Sequence, residues 1–177
     1  MNYHDIKKCD LLNGDGIRVS LWVSGCEHNC NQCQNPQTWD INSGIIFDKD
    51  SEEELFETLR EDYISGITFT GGDPLHENNL EDVINIINKI RLLMPNKTIW
   101  LYTGYRWEDL MEDDSRRNIV SKCNVVVDGQ YIEHLKDATL EWRGSSNQRI
   151  IDVQETLKGD SLILKLWRHN EIRDNQR

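Results

Sequence analysis

Short apolar strands that alternate with helical segments are the feature that most constrains the fold of this sequence. Four segments have the apolar, β-branched character of buried strands: residues 17–23, 67–70, 98–102 and 125–127. Apolar residues recur at helical spacing over about 52–62 and over 80–93. This alternation is typical of parallel βα units. Four or five strands are too few for a closed eight-stranded barrel, so we expect an α/β fold, an open and incomplete (β/α) barrel of parallel strands.

Polar, glycine-containing loops follow all four strands, at residues 24–33, 71–74, 103–105 and 128–130. In parallel α/β folds, the carboxyl ends of the strands meet at one edge, and ligands bind there. We therefore expect the four loops to form a single site.

The remaining segments carry weaker signals. Ser51 followed by Glu54 has the pattern of a capping box and predicts a helix that begins there. A short strand at 44–47 and a short polar helix over 107–121 are also expected, whereas residues 1–16 are mixed and end in a turn. We divide the chain into a domain at 1–152 and a C-terminal extension at 153–177. The extension could add a strand or a short helix through its apolar residues Leu162, Ile163, Leu164, Leu166 and Trp167.

The charge balance restricts the partners. The 177 residues include 20 Lys and Arg against 31 Asp and Glu, a formal net charge of −11. An acidic surface repels phosphate backbones and anionic lipids, so we expect neither a nucleic-acid partner nor a membrane partner. The N-terminus has no basic start and no apolar core of a signal peptide, which predicts a cytoplasmic protein. Its five cysteines should then be reduced thiols.

Three of those cysteines, Cys26, Cys30 and Cys33, lie within eight residues in a C-x3-C-x2-C arrangement. Soft thiolate ligands select zinc or an iron–sulfur cluster. Three ligands on a four-iron cluster leave one iron open to a substrate, whereas structural zinc requires a fourth ligand. His28, Cys9 or Cys123 could supply it. We favour the cluster, and expect His28 to be an exposed loop residue and Cys9 and Cys123 to be small buried apolar residues.

The second strand ends in the sequence Gly71-Gly72-Asp73-Pro74. Two glycines let the backbone approach a ligand closely, and proline fixes the turn. An ordinary tight turn is the alternative interpretation of this segment. Its place at the same sheet edge as the cysteine loop favours a ligand.

The cysteine loop after a first strand resembles that of the radical S-adenosylmethionine superfamily, and the glycine loop resembles its GGE-type motif, with Asp73 in place of the commoner Glu. Further blocks occur in order along residues 1–150: Asn13-Gly14-x-Gly16, Ser24-Gly25-Cys26, Thr70 to Leu75, Trp100 to Tyr105, Val127-Asp128-Gly129 and Trp142 to Arg149. Together they are similar to the activating proteins of anaerobic ribonucleoside-triphosphate reductase, a family of glycyl-radical enzyme activases.

The resemblance implies a radical SAM oxidoreductase with one 4Fe-4S cluster held by Cys26, Cys30 and Cys33. S-adenosylmethionine would bind the open iron through its amino and carboxylate groups. The residues implied beside it are Gln32, Cys33, Gln34 and Gly72, and Thr103 and Asp128 could also face it. The family often has an aromatic residue at the position of Gln34, so the residues that contact adenine are not identified.

The implied reaction cleaves S-adenosylmethionine to a 5′-deoxyadenosyl radical, which removes a Cα hydrogen from a glycine of a partner protein. That partner would be the large subunit of anaerobic ribonucleoside-triphosphate reductase, and a low-potential electron donor such as flavodoxin would reduce the cluster. Two alternatives remain: an activase of another glycyl-radical enzyme such as pyruvate formate-lyase, and a non-enzymatic metal-binding or electron-transfer module.

Overall fold

A computed structural model describes residues 1–159 and 161–165, and these form one seven-stranded sheet with helices. The strands are β1 (Asn2–Asp10), β2 (Arg18–Val23), β3 (Ile45–Ile46), β4 (Gly66–Gly71), β5 (Thr98–Tyr102), β6 (Val125–Asp128) and β7 (Arg149–Asp152). The helices are α1 (Lys49–Arg60), α2 (Leu80–Leu93), α3 (Trp107–Glu112), α4 (Asp114–Val120) and α5 (Val153–Thr156). All four strands predicted from apolar runs are present, so the mixed α/β class is confirmed.

The sheet is only partly parallel, with the order β3-β1-β2-β4-β5-β6-β7. The four central strands β2, β4, β5 and β6 run parallel to one another. The strands β1 and β3 on one side and β7 on the other are antiparallel. The expectation of parallel strands throughout is therefore wrong at both edges, although the sheet is open as expected.

The strand β1 has no clear sequence signal because two irregularities interrupt its pairing with β2, between Tyr3 and Asp5 and between Lys7 and Asp10. Bulges of this kind shift the alternation of side chains between the two faces. The buried residues Tyr3, Ile6 and Asp10 consequently recur at spacings of three and four, not two.

Alternate residues of the central strands face opposite layers. One face packs against the helices in the main apolar core, to which β2 contributes Val19, Leu21 and Val23. On the other face, Trp100, Val125, Val127 and Ile150 form a smaller cluster. That second face also carries polar side chains, which border the site described below.

Two helix boundaries differ from the prediction. Asp48 is the N-cap of α1, and its Oδ1 accepts a hydrogen bond from the Ser51 amide at 3.0 Å, so Ser51 lies inside the helix instead of capping it. The stretch predicted as one helix over 107–121 is two helices. Asp113 separates them because its side chain caps α4 through the amide of Arg116 at 2.8 Å.

The described part of the C-terminal extension continues the sheet. The Asp152 amide donates to the Ile163 carbonyl at 3.0 Å, and the Lys165 amide donates to the Ile150 carbonyl at 2.8 Å. This short segment therefore pairs with β7, while Leu166 and Trp167 lie outside the described residues. None of the helices in the described ranges is long and apolar enough to cross a membrane.

Candidate active site

The cysteine loop leaves β2 and returns to its end through two backbone hydrogen bonds. The amide of Gly25 donates to the Thr38 carbonyl at 2.7 Å, and that of Cys26 donates to the Trp39 carbonyl at 3.1 Å. Within the loop, the Cys33 amide donates to the Cys30 carbonyl at 3.1 Å, which closes a turn. The three thiols are thus held on a compact loop at the carboxyl end of the strand.

The backbone of Gln32 makes that turn possible. Gln32 has a φ of +57°, in the left-handed region that few non-glycine residues adopt. Its side chain is exposed, whereas Cys33 and Gln34 line the adjoining cavity. The amide of Asn35 donates to the Cys33 sulfur at 3.3 Å. Such amide–sulfur bonds are common around iron–sulfur clusters and tune their potentials.

The cysteine thiols are partly buried in the metal-free chain. Burial, with smaller contributions from the nearby Asp73, Cys30 and Cys33, raises the pKa of the Cys26 thiol to about 12, although a backbone hydrogen bond from His28 opposes the rise. Burial also raises the pKa of Cys30. Metal binding to such thiols releases their protons, which couples the occupancy of the site to pH.

The glycine loop that follows β4 lies directly against the cysteine loop. Gly71 has a φ of +101°, and a Cβ on Gly72 would lie 2.5 Å from the carbonyl oxygen of Gly25. The amide of Gly72 donates to the Val23 carbonyl at 2.8 Å, and that of Asp73 donates to the Gly25 carbonyl at 2.7 Å. The two loops therefore touch through their backbones, and the lack of a side chain on Gly72 permits this close approach.

Asp73 joins the site loops through its carboxylate, which is 2% exposed. Its Oδ2 accepts hydrogen bonds from His28 Nε2 at 2.6 Å, Thr103 Oγ1 at 2.9 Å and the Gly104 amide at 2.9 Å. Its Oδ1 accepts from the amide of Leu75 at 2.8 Å. One side chain thus connects the loops that follow β2, β4 and β5.

His28 is not the exposed loop residue that the sequence predicted. Its side chain is 7% exposed, and its ring contacts Tyr105 edge to face with centroids 4.6 Å apart. Gln130 Nε2 lies 3.2 Å from His28 Nδ1. Since an amide nitrogen only donates, Nδ1 accepts and the proton that bonds Asp73 is on Nε2. No local signal marks this role, because the partner belongs to a different loop.

The segment 142–149 forms the far wall of the site and is attached to the loop after β6. Gln148 Oε1 accepts from the Gly144 amide at 2.9 Å, and Gln148 Nε2 donates to the Gly129 carbonyl at 3.0 Å. Asn147 Nδ2 donates to the Gln130 carbonyl at 2.8 Å. These side chains fix the wall by hydrogen bonds to backbone atoms.

An ion-paired group supports the same wall from outside. Arg149 donates to Asp128, which is 1% exposed, at 2.9 and 2.5 Å, and to both carboxylate oxygens of Glu108. Asp128 Oδ2 also accepts from the Trp107 amide at 2.7 Å. The Arg149 bonds lower the pKa of Glu108 to about 2. Of the two residues expected to face the cofactor, Asp128 instead holds the loop structure through these bonds. Thr103 lines the cavity, and its hydroxyl donates to Asp73.

These elements enclose a cavity of about 600 Å³, which Cys26, Cys30 and Cys33 line together with Gly72 and Gln34. Across the described ranges, no three or more His, Cys, Asp or Glu side chains are grouped closely enough, as they stand, to surround a metal ion. Cys9 is exposed, which corrects the prediction that it is buried, and Cys123 is buried as predicted. Neither belongs to the cavity lining, and the structure brings the sequence-predicted cysteines and glycine loop to one site.

The chain belongs to the class of iron–sulfur proteins, because residues 12–151 match the family model of the 4Fe-4S single cluster domain. Within that class, it belongs to the family of anaerobic ribonucleoside-triphosphate reductase-activating proteins. The protein of that name from Escherichia coli K12 is 43% identical over 150 residues, which cover 84% of this chain and 96% of the relative. Those from bacteriophage T4 and Vibrio cholerae are 41% and 40% identical, over 85% of this chain and 93% and 97% of theirs.

Proposed function

We propose that this protein generates a glycyl radical on anaerobic ribonucleoside-triphosphate reductase by reductive cleavage of S-adenosylmethionine. The observation that carries the proposal is the meeting of three free thiols and a side-chain-free glycine loop at one cavity. The names of the relatives supply the reaction's target, and they give no support to another glycyl-radical enzyme as the target.

The chemistry of the donor set fits a 4Fe-4S cluster with three protein ligands, and binding would draw the three thiols together, because they are not grouped around a metal position in the described residues. Cys26, Cys30 and Cys33 are free, partly buried and on one loop, and the Asn35 amide already bonds one of the sulfurs. Three thiolates leave one iron for the amino and carboxylate groups of S-adenosylmethionine. Held by these cysteines, such a cluster would supply the one-electron reduction that cleaves S-adenosylmethionine to methionine and the 5′-deoxyadenosyl radical needed to remove the glycine hydrogen.

The glycine loop is the proposed seat of the methionine part of the cofactor. Gly71 and Gly72 bring backbone to the cavity beside the cysteine loop, with no side chain between. Gln34 follows Cys33 and lines the same cavity, which suits a contact with the bound cofactor. We assign this chemistry to the domain at 1–152 as an open barrel of radical SAM type, and none of it to the extension at 153–177.

The proposed partners are the large subunit of the reductase and a low-potential donor such as flavodoxin. The donor must reach the cysteine loop, where Glu27 and Asn29 are exposed between the cluster ligands. The glycine segment is part of a protein loop and would need an open cleft to reach the thiols. The proposed function therefore requires the cavity to be open to solvent on one side. A reducing cytoplasm suits the five free cysteines.

Anaerobic reconstitution tests the proposal. The reduced protein with S-adenosylmethionine should form 5′-deoxyadenosine, and addition of the reductase should give a glycyl-radical EPR doublet. Cys30→Ser should abolish both signals, whereas the matched control Cys9→Ser, at an exposed cysteine outside the cavity, should retain them. Cleavage of S-adenosylmethionine with no radical on the reductase would refute the assigned target. Equal activity of the two variants would refute the assigned ligands.

A further inference from the structure

Four residues that line the cavity carry a buried polar atom without a hydrogen-bond partner in the described chain. The atoms are Trp22 Nε1, Trp39 Nε1, Tyr102 OH and Arg143 Nε. Indole and guanidinium nitrogens only donate, and a phenol can donate. A buried donor left unpaired costs about 1–3 kcal/mol. Four such donors around one cavity indicate a ligand that presents several acceptors.

Two of these donors lie in one row across the face of the sheet that carries the smaller apolar cluster. Trp22 on β2 is paired with Thr70 on β4, and the register between β4 and β5 places Tyr102 beside Thr70. Burial raises the pKa of Tyr102, so its hydroxyl keeps its proton and remains a donor. The strands β2 and β5 are two positions apart, or roughly 9–10 Å. Side chains as long as Trp and Tyr can therefore reach two carbonyl oxygens on the same side of one extended chain, which lie two residues or roughly 7 Å apart.

The surroundings of this row are apolar on the side of β6 and β7, whereas Thr70 lies between its two donors. Val127 on β6 is paired with Tyr102, and it belongs to the cluster formed with Trp100, Val125 and Ile150, against which Tyr102 and Trp142 pack. Arg143 adds its Nε from the opposite wall, while its Nη1 is bonded to the Gln148 carbonyl at 2.8 Å. Hydrogen-bond donors beside an apolar cluster suit a ligand that offers backbone carbonyl oxygens and small side chains. A peptide centred on glycine has both features.

We propose that Trp22, Tyr102 and Arg143 form a peptide-backbone subsite that binds the carbonyl oxygens flanking the target glycine. The inference rests on the proposed function, because the glycine belongs to the reductase. Trp39 is left out, since its backbone carbonyl is bonded to the amide of Cys26, which places it next to the proposed cluster ligands. The subsite would hold the glycine Cα over the thiol-lined end of the cavity while its neighbours are anchored by hydrogen bonds.

The variants Trp22→Phe and Tyr102→Phe test the subsite, because each removes a donor and retains an aromatic ring. Neither change breaks a hydrogen bond of the free protein, so Tyr102→Phe should leave the melting temperature unchanged, and Trp22→Phe should lower it only through its smaller ring. Tyr63→Phe, at a tyrosine that is 56% exposed, is the matched control. The probe is a labelled synthetic peptide that spans the target glycine of the reductase, titrated onto reconstituted protein with S-adenosylmethionine by fluorescence anisotropy.

Each donor removal should raise the peptide Kd about three- to ten-fold, as the loss of one net hydrogen bond requires. The Kd of S-adenosylmethionine, measured without peptide, separates the two ligands. An unchanged peptide Kd, or an equal loss of cofactor affinity, would overturn the subsite. If the wild-type protein cleaves S-adenosylmethionine but yields no radical on the reductase, both the proposed function and the subsite that depends on it are refuted. If the wild type forms the radical and the variants bind peptide as tightly, only the subsite fails.

Discussion

Replacement of Asp73 by Asn should destabilise the protein by about 2–4 kcal/mol, because neither orientation of the new amide satisfies the site. With its nitrogen in the place of Oδ2, the amide faces the Gly104 amide, which now donates at 2.9 Å. With its nitrogen in the place of Oδ1, it faces the Leu75 amide, which donates at 2.8 Å. Either way, two donors oppose each other at a residue that is 2% exposed.

The magnitude follows from the count of bonds. One hydrogen bond to a charged group contributes about 1.5–3 kcal/mol, and a buried amide left without an acceptor costs about 1–3 kcal/mol. These contributions overlap because they concern the same contact, so we expect less than their sum. Replacement of the His28 bond by a neutral one adds to the loss. The total is a large part of the stability of a typical domain, about 5–15 kcal/mol.

Urea unfolding of the metal-free protein, followed by circular dichroism, measures this loss. The midpoint should fall while the slope with denaturant stays the same, because the surface exposed on unfolding does not change. Asp114→Asn is the control, since the Asp114 side chain is 88% exposed and its ion pair with Arg117 lies at the surface. A loss below about 1 kcal/mol for Asp73→Asn, the range of a surface pair, would refute the reasoning.

Three further predictions concern other parts of the protein, and each is measured by denaturation. Gly72→Ala should cost about 1–3 kcal/mol, because the new Cβ meets a backbone carbonyl at 2.5 Å; an unchanged midpoint would contradict this contact. Arg149→Met should cost about 3–5 kcal/mol by leaving Asp128 buried without its ion pair, whereas Glu108→Gln at the exposed partner should cost less than about 1 kcal/mol; equal losses would contradict the assignment. Burial opposes ionisation of Asp10, but hydrogen bonds to its carboxylate outweigh burial and lower its pKa. The contribution of the Asp10 carboxylate to stability is therefore present above an unfolded pKa of about 3.9 and lost as pH falls through the lower folded pKa. On acidification below about pH 4, the wild type should lose more stability than Asp10→Asn. Parallel curves of stability against pH would contradict this.

The sequence was sufficient where the structure is local and regular. The residues of β5 have continuous apolar character, and their bounds were predicted without error. The apolar stripe of α2 also predicted its position. In contrast, β7 has four residues and two adjacent buried isoleucines, which is too short a run for a period to show. Edge strands of this kind are defined by their partners more than by their own pattern.

The candidate site shows the same division. The spacing of Cys26, Cys30 and Cys33 predicts a shared loop, because it depends on neighbours along the chain. The burial of His28 depends on Asp73, which is 45 residues away, and a single sequence carries no sign of that contact. The unpartnered Tyr102 hydroxyl is equally hidden, since its environment is created by strands and loops from the whole sheet.

Asp73 explains how two loops from adjacent strands hold a common geometry. Parallel pairing of β2 with β4 brings the cysteine and glycine loops side by side, but strand pairing ends at Val23 and Gly71. Beyond that point, the Asp73 amide still donates to the Gly25 carbonyl, and side-chain bonds to the Asp73 carboxylate tie His28 to the loop after β5. A Glu at this position would carry one more methylene group into contacts already at 2.6–2.9 Å. The shorter Asp fits because His28 extends from the cysteine loop to meet its carboxylate. The pair therefore links the cysteine loop to the glycine loop.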